Sequence, residues 1–372
     1  MVEDYNRKSK IHVQSIGLEH ESFKTGIKTM LAWGNPPDMF SYWAGARLQA
    51  VVDAGQVAPL DGLWEKDGLE NEFSPGVVQA CRYNGRFYAI PVTQHLVVFF
   101  YNKAIFFRLG LQPPRTWSQF LDVCERIRQA GVSPIAMGSR ELWPAQYWFD
   151  FILLRTFGLE YRQELMDGTR SYTDSQVRAT FETWAQLLRK GYFHPSYSTW
   201  DWADAADAVH RGDAAMTLMG TWVLGYFQSR FNWRLGDEYG FFEFPAITPG
   251  LPDVVSGPID ALVLTPSGEA HGALDAMSFF AGKEPQQAMC LGAGAFPPNV
   301  HAEAGIMTPE RAAIAGIIRE AKVWAFPYDL AEPPPIADVG LGLFGAFLKD
   351  PGAVDSLLES AQMKMSMVRA VK

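Results

Sequence analysis

The stretch Leu96-Val97-Val98-Phe99-Phe100-Tyr101 is an unbroken run of apolar and aromatic residues. Such a run predicts a β-strand that is covered on both faces, as in a sheet lying between layers of helices. Other strand-like runs, at 38–43, 134–137, 214–219 and 261–264, alternate with helical patterns along the chain. We therefore predict an α/β fold with mostly parallel sheets flanked by helices.

Local signals add detail to this prediction. Asn84-Gly85 lies between β-forming residues and predicts a hairpin with a type I′ turn, which needs positive φ at both central positions. Thr116 follows two prolines and predicts the N-cap of a helix over 117–130. The alternating run at 11–16 predicts a further strand.

Length and composition limit the possible functions. A chain of 372 residues suits two domains, and 48% hydrophobic with 20% charged residues is typical of a globular protein. The formal net charge of −9, without a basic stripe, argues against a nucleic-acid partner. The sequence contains no apolar run of membrane-spanning length, and Met1–Lys10 lacks the layout of a signal peptide.

Motifs for catalysis, cofactors and metals are mostly missing. The sequence has no GxSxG, HExxH, Walker or EF-hand pattern, and its three cysteines and seven histidines are dispersed. Gly340-Leu341-Gly342-Leu343-Phe344-Gly345 follows three prolines instead of a strand, so it predicts close helix packing and no dinucleotide site. We expect no cofactor, no metal and no catalytic residue. A glycoside hydrolase using paired carboxylates remains the alternative.

Tryptophans at predicted element ends carry the functional signal. Trp43, Trp143, Trp200 and Trp222 stand beside Gly, Pro, Thr or acidic residues and outside the apolar runs. A flat indole can cover the C–H face of an uncharged polyhydroxylated ligand while polar neighbours bind its hydroxyls. The sequence thus favours a binding site for such a ligand.

Several segments together resemble a known family. In their order along nearly the whole chain, they are similar to an extracytoplasmic solute-binding protein of a carbohydrate ABC transporter, the group that includes maltose-binding protein. The matching segments are 36–43, 55–60, 85–91, 100–103, 113–120 and 212–222. This resemblance implies a two-lobe, periplasmic-binding-protein-like fold of type II, with hinge crossings and a ligand held between the lobes.

The resemblance also implies boundaries and a location. The first lobe would comprise 1–103 plus 261–326, and the second 104–260 plus 327–372, with crossings near Tyr101, 256–258 and 327–335. Members of the family begin with an exported strand-and-helix unit before the segment matching 2–8. We therefore expect that the natural chain starts earlier, that the first lobe here lacks its first strand, and that the protein is periplasmic or extracellular and membrane-anchored.

Residue by residue, the resemblance and the local pattern yield a set of candidate ligand contacts. They are Trp43, Arg47, Thr93, Gln94, His95, Glu141, Trp143, Trp200, Gly220, Thr221, Trp222, Asp260 and Asp329. Trp202 remains an alternative to Trp200, whereas Trp148, in a dense apolar helix, is expected in the core.

The expected function is binding without chemistry. The ligand would be a neutral di- or oligosaccharide or a sugar–polyol conjugate, and a monomeric protein would deliver it to the membrane subunits of an ABC importer. An anionic solute becomes the better interpretation if basic residues line the site.

Overall fold

The computed structural model describes residues 1–302 and 308–370. The chain divides into two compact units. Unit 1 comprises Met1–His95 and Pro258–Ile306, and unit 2 comprises Leu96–Gly257 and Met307–Lys372. No helix of the described ranges is long and apolar enough to cross a membrane.

The helices are numbered in chain order. They are α1 Val2–Lys8, α2 His20–Ala32, α3 Ala46–Asp53, α4 Asp61–Asp67, α5 Pro75–Ala80, α6 Lys103–Arg108, α7 Trp117–Gln129, α8 Gln146–Asp167, α9 Ser175–Arg189, α10 Trp202–Arg211, α11 Trp222–Phe231, α12 Pro266–Ala270, α13 Ala273–Ala281, α14 Lys283–Ala293, α15 Pro309–Glu320, α16 Tyr328–Ala331, α17 Pro334–Lys349 and α18 Val354–Ala370. Short 3-10 turns lie at Leu69–Asn71, Trp143–Ala145, Pro195–Ser198 and Pro351–Ala353.

The strands are numbered in the same way. They are β1 Met39–Trp43, β2 Arg82–Tyr83, β3 Arg86–Phe87, β4 Ala89–Gln94, β5 Val97–Asn102, β6 Ser133–Ala136, β7 Ala214–Gly220, β8 Tyr239–Phe242, β9 Val255–Ser256, β10 Ile259–Leu264 and β11 Trp324–Ala325.

Unit 1 is built on a sheet with the strand order β1-β10-β4, in which both pairings are antiparallel. A buried cluster of Tyr5, Val92, Ala276 and Phe280 packs α1 and α13 against β4. The predicted strand at 11–16 is wrong, because this segment has no regular structure. The Asn6 side-chain amide exchanges hydrogen bonds of 2.9 and 2.8 Å with the carbonyl and amide of Val13, taking the place of a strand partner.

Unit 2 is built on a sheet with the strand order β6-β7-β5-β8. The apolar run that predicted a covered strand is β5, and its neighbours cover both of its faces. The Phe99 ring lies 5.3 Å from that of Phe120 and 5.7 Å from that of Trp148, whereas Phe100, which points to the opposite face, lies 6.3 Å from Tyr239. The expected core position of Trp148 is confirmed by its burial.

The prediction of mostly parallel sheets is wrong. Among the described residues, β6–β7 and β9–β11 pair in parallel, and the remaining ladders are antiparallel. The chain passes from one unit to the other directly before β5 and again before β10. The alternation of strands and helices along the sequence therefore does not mean that successive strands join one parallel sheet through βαβ crossovers.

The unit boundaries differ from the expected lobe boundaries. The first division falls between His95 and Leu96, because β5 pairs with β7 and β8 inside unit 2. The segment Pro309–Glu320 likewise belongs to unit 2. The last two residues of the expected second lobe, 371–372, lie outside the described residues.

The local signals are confirmed. Asn84 and Gly85 have φ values of 50° and 80° between β2 and β3, and Thr116 forms a capping box with Gln119 at the start of α7. The glycine-rich stretch in α17 does serve close packing, since a Cβ on Gly340 would lie 2.1 Å from the Tyr328 hydroxyl.

A buried ion pair spans a break in α8. Gly158, with φ 86° and ψ 177°, interrupts the helical conformation. Across this break, Arg162 donates hydrogen bonds to the Asp150 carboxylate at 2.8 and 3.1 Å, and both side chains are almost fully buried. The Asp150 carboxylate also accepts the amide of Tyr328 at 2.7 Å, which fixes α16 against α8.

Glu332, at the end of α16, is a second buried carboxylate. Within the described chain its oxygens have no hydrogen-bond partner, and the Arg369 guanidinium stands 3.6 Å away. Burial raises the pKa of Glu332 from 4.5 to about 7, although Arg369 and Arg162 act in the opposite direction. The folded state therefore retains a proton that the unfolded chain releases.

We predict that Glu332→Gln stabilises the protein at pH 8 but not at pH 5. For a carboxyl whose pKa is raised by folding, stability is lost as the pH rises from about 4.5 towards 7. At 1.36 kcal/mol per pKa unit, the loss between pH 5 and pH 8 is about 2–3 kcal/mol. Urea unfolding at both pH values measures it, with Glu359→Gln on the exposed surface of α18 as the control. An equal effect of Glu332→Gln at both pH values would contradict the prediction.

Candidate functional site

In unit 1, three of the candidate residues form a row across the sheet. Trp43 on β1 is the cross-strand partner of Asp260 on β10, and Asp260 is the partner of Thr93 on β4. Directly opposed residues of antiparallel strands point to the same face. The row therefore places an indole, a carboxylate and a hydroxyl side by side, next to a register shift between Asp260 and Ala261. We call Trp43, Asp260 and Thr93 the polar row.

The Asp260 carboxylate is held by its neighbours. Thr93 Oγ1 donates a 2.6 Å hydrogen bond to Asp260 Oδ2, and His95 Nε2 lies 3.4 Å from the same oxygen. The amide of His95 donates to the carbonyl of Pro258 at 3.0 Å, which fixes the backbone at the end of the row. Thr93 and His95 are buried, whereas the Asp260 side chain is 25% exposed.

Other side chains surround the Trp43 indole, which is partly exposed. The rings of His20 and Phe23 meet it edge-on, with centroids at 5.3 and 5.8 Å. The buried Arg47 places its guanidinium carbon 6.0 Å from the indole. Trp43 and Arg47 are thus brought together, as the sequence predicted, but as parts of a larger aromatic and cationic group.

Gln94 is placed differently from its unit 1 neighbours. It is buried, and its side-chain amide donates to the carbonyl of Pro297 at 3.3 Å. Its backbone exchanges two hydrogen bonds with Phe296. These contacts favour a role in joining β4 to the segment that comes after α14.

In unit 2, Trp222 lies over the end of β7. A Cβ on Gly220 would stand 1.9–2.3 Å from atoms of the Trp222 ring, so only glycine lets the indole lie against the backbone there. The Trp143 ring meets the Trp222 ring at 5.9 Å and 60°, and the Tyr147 ring meets Trp143 at 6.1 Å and 84°. We call Trp143, Tyr147 and Trp222 the aromatic corner. Trp143 and Tyr147 are buried, and Trp222 remains partly exposed.

The loop before Trp143 carries Glu141. Its backbone turns at Leu142, a non-glycine residue with φ 64°, which is an uncommon and strained conformation. Close packing accommodates Leu142, because a Cβ on Gly345 would lie 2.5 Å from its side chain. Arg140 donates to Asp201 at 2.6 Å and lies 3.4 Å from Glu141, so it joins this loop to the start of α10.

The rings of Trp200 and Trp202 contact two other aromatic side chains of unit 2. The Trp200 ring stacks on His194 at 4.0 Å and 18°, and the Trp202 ring meets Tyr226 edge-on at 5.1 Å. The carbonyl of Trp200 accepts the Arg140 amide at 3.0 Å, so its backbone does border the Glu141 loop.

Thr221 and Asp329 have structural contacts. Thr221 is fully buried, its amide donates to the carbonyl of Leu96 at 3.0 Å, and its hydroxyl accepts the Leu96 amide at 3.3 Å. Asp329 is buried in α16, where its amide donates to the side chain of Gln146 at 2.7 Å. These contacts favour a structural role for Thr221 and Asp329 in unit 2 over direct contact with a ligand.

Sequence reasoning missed several side chains that contact the candidate residues. Tyr147 meets the Trp143 ring, His194 stacks on Trp200, and Arg140 reaches Glu141. The ion pair between Arg140 and Asp201 joins residues far apart in sequence, for which a single chain carries no signal. Within residues 1–302 and 308–370, no group of three or more potential metal ligands occurs.

The chain is similar to one known family and to several of its members. The family model for bacterial extracellular solute-binding proteins matches residues 1–287. An uncharacterized ABC transporter extracellular-binding protein of Pyrococcus horikoshii is 31% identical over 77% of this chain and 64% of its own length. A probable sugar-binding periplasmic protein of Mesorhizobium japonicum is 29% identical over 59% of this chain and 52% of its own.

Among solved structures, the bacterial solute receptor AcbH, described as having an exclusive preference for β-D-galactopyranose, superimposes with a TM-score of 0.92. The identity is 24%, and the match covers 98% of this chain and 93% of that one. Likeness at this identity shows the fold, which is that of the type II periplasmic solute-binding proteins.

The fold is one that solute-binding proteins share. The family match shows the particular class: this chain belongs to the bacterial extracellular solute-binding proteins. It spans between half and two-thirds of the length of the curated relatives named above.

We predict that Gly220→Ala displaces the Trp222 indole from the end of β7. The added methyl group would occupy the place of the ring, and overpacking of this kind costs about 1–3 kcal/mol. A crystal structure and a thermal melt of the variant measure the displacement and the cost. Gly342→Ala, on the exposed side of α17 with no atom within 4 Å of the new Cβ, is the matched control. An unmoved indole in Gly220→Ala would contradict the prediction.

Proposed function

We propose that this chain binds a neutral carbohydrate and delivers it, without chemical change, to the membrane subunits of an ABC importer. The ligand is a mono-, di- or oligosaccharide or a sugar–polyol conjugate. The polar row of unit 1 and the aromatic corner of unit 2 are the two groups of candidate contacts that support this proposal. Membership of an extracellular solute-binding family supports a periplasmic or membrane-anchored extracellular location.

The observation that carries the proposal is the position of Trp222. Its indole is supported by the glycine backbone of β7 and by the edge of Trp143, and it remains partly exposed. A rigid aromatic surface of this kind suits the C–H face of a pyranose ring, whose burial needs no charge. The fixed ring loses little conformational entropy when a ligand binds.

The polar groups support a neutral ligand with many hydroxyls. Asp260 offers a carboxylate to hydroxyl donors, and Glu141, two residues before Trp143 in the sequence, carries a second one. Arg140, which reaches the Glu141 loop, is already engaged by Asp201. Next to the polar row, the Arg47 side chain is buried beside the Trp43 ring.

The names of relatives agree with this interpretation. The relative from Mesorhizobium japonicum is called a probable sugar-binding periplasmic protein, and one from Streptococcus mutans, 24% identical over 67% of this chain, a multiple sugar-binding protein. Solved structures with this fold include complexes with maltose and raffinose.

We predict that Trp222→Ala weakens carbohydrate binding about 30- to 150-fold. Covering roughly 100 Å² of apolar sugar surface is worth about 2–3 kcal/mol at ~25 cal/mol per Å². Thermal-shift screening with galactose, xylose, maltose and raffinose identifies a ligand, and isothermal titration calorimetry of the variant then measures the loss.

Trp33→Ala is the matched control, because Trp33 is 84% exposed and belongs to neither group. It should bind the sugar like the unmodified protein. Chromatography of the sugar after incubation tests the absence of chemistry, since a binding protein returns it intact and a hydrolase returns shorter products. Equal loss in both variants, or cleaved sugar, would overturn the proposal.

A further inference from the structure

The polar row of unit 1 distributes its hydrogen bonds unequally between the two oxygens of Asp260. Both the Thr93 hydroxyl, at 2.6 Å, and His95 Nε2, at 3.4 Å, approach Oδ2. Thr93 and His95 are buried, while the Asp260 side chain is partly exposed. The protein thus holds Oδ2 of a carboxylate whose side chain is partly exposed, and both contacts described above are to that oxygen.

The sheet makes this arrangement rigid. Thr93 and Asp260 are directly opposed on β4 and β10, and the shift of register directly after Asp260 changes the direction of the strand there. On the other side, Asp260 is opposed to Trp43, at about 5 Å between Cβ atoms as in any such pair. A carboxylate held in one orientation beside an indole can distinguish the positions of hydroxyl groups on a sugar ring. A carboxylate that changes orientation cannot do so.

The chemistry of the donors limits what Thr93 itself can offer. A hydroxyl has one proton, and that of Thr93 is used in the bond to Asp260. A ligand hydroxyl that met Thr93 would find no donor there. Thr93 could contact a sugar only as a hydrogen-bond acceptor.

We propose that Asp260 is the specificity-determining acceptor of the site, and that Thr93 and His95 are positioning residues that hold its Oδ2 so that Oδ1 accepts ligand hydroxyls. The inference rests on the proposed carbohydrate-binding function and adds to it the residue that selects the ligand and the two residues that position it. An ionised carboxylate accepts hydrogen bonds and donates none, so the site selects neutral sugars with a free hydroxyl there. It rejects sugar acids, whose carboxylate would face Asp260 without a proton between them.

Variants at position 93 separate positioning from packing. The sugar for this test is whichever of galactose, xylose, maltose and raffinose binds the unmodified protein. We expect Thr93→Val to weaken its binding about 10-fold by calorimetry, because Asp260 Oδ2 loses its hydrogen-bond donor. Thr93→Ser, which keeps the hydroxyl, should restore affinity to within about 3-fold. Thr25→Val, on the exposed side of α2, controls for the exchange itself. Equal affinity of the Val and Ser variants, with unchanged melting temperatures, would overturn the positioning role.

The specificity is tested by a variant at position 260 and by a competition experiment. Asp260→Asn should weaken the neutral sugar about 30-fold, since a charge-assisted acceptor is replaced by a neutral one. Galacturonate and glucuronate in 100-fold excess should not displace the neutral sugar from the unmodified protein. Displacement would show that the site binds anions, with Arg47 as the cationic group, and it would overturn the proposal. If none of the neutral sugars binds, the proposed function itself fails. If a sugar binds but the variants at positions 93 and 260 do not change its affinity, only the present inference fails.

Discussion

The pair of Asp150 and Arg162 is the interaction on which the architecture of unit 2 depends. Both groups are removed from water, and their mutual hydrogen bonds close over the interruption of α8 at Gly158. Each side chain also bonds to the backbone around α16. The Asp150 carboxylate accepts the Tyr328 amide, and the Arg162 guanidinium donates to the Phe326 carbonyl. Loss of either partner would leave a buried charge uncompensated, at a cost of about 3–5 kcal/mol.

The helix after α16 is arranged around this pair. Tyr328 is fixed by Asp150, and α17 can approach it only because Gly340 has no side chain. Farther along the same helix, Gly345 leaves room for the side chain of Leu142, whose strained backbone leads into the aromatic corner. A series of close contacts thus connects a structural ion pair to the placement of Trp143. Gly340 and Gly345 therefore matter for the placement of Trp143, through Tyr328 and Leu142.

The candidate contacts of the two units differ in kind. In unit 1, Trp43 stands in a row with the hydrogen-bonding groups of Asp260 and Thr93, while unit 2 brings together the indoles of Trp143 and Trp222. Trp43, Thr93 and Asp260 lie at or next to strand ends, and Trp222 follows the end of β7. Apolar contact provides most of the free energy of binding in such sites, and buried polar partners provide discrimination.

The sequence predicted the class of fold and most element positions, because these depend on short-range patterns. The covered strand β5, the turn at Asn84-Gly85 and the capping box at Thr116 are determined by adjacent residues. Strand direction could not be predicted in this way, since it is decided by which unit the chain enters next. The strand expected at 11–16 failed because Asn6 satisfies the backbone of Val13 instead.

For the candidate site, the residue types were predictable and their partners were not. The sequence singled out Trp143, Trp222, Thr93 and Asp260, but nothing in it joined Thr93 to Asp260 across 167 positions or Trp200 to His194 in a stack. Trp148 could be assigned to the core because it stands in a dense apolar helix. The set of ligand contacts stays a prediction until a complex is measured.

The proximity of two indoles in unit 2 has an optical consequence. With centroids 5.9 Å apart and planes inclined at 60°, the electronic transitions of Trp143 and Trp222 couple to one another. Coupled chromophores in a chiral arrangement give a paired band in near-ultraviolet circular dichroism, whose sign and size depend on the angle between them. A molecule bound against one of the rings would change their shared environment, and the paired band would then report its binding without a label.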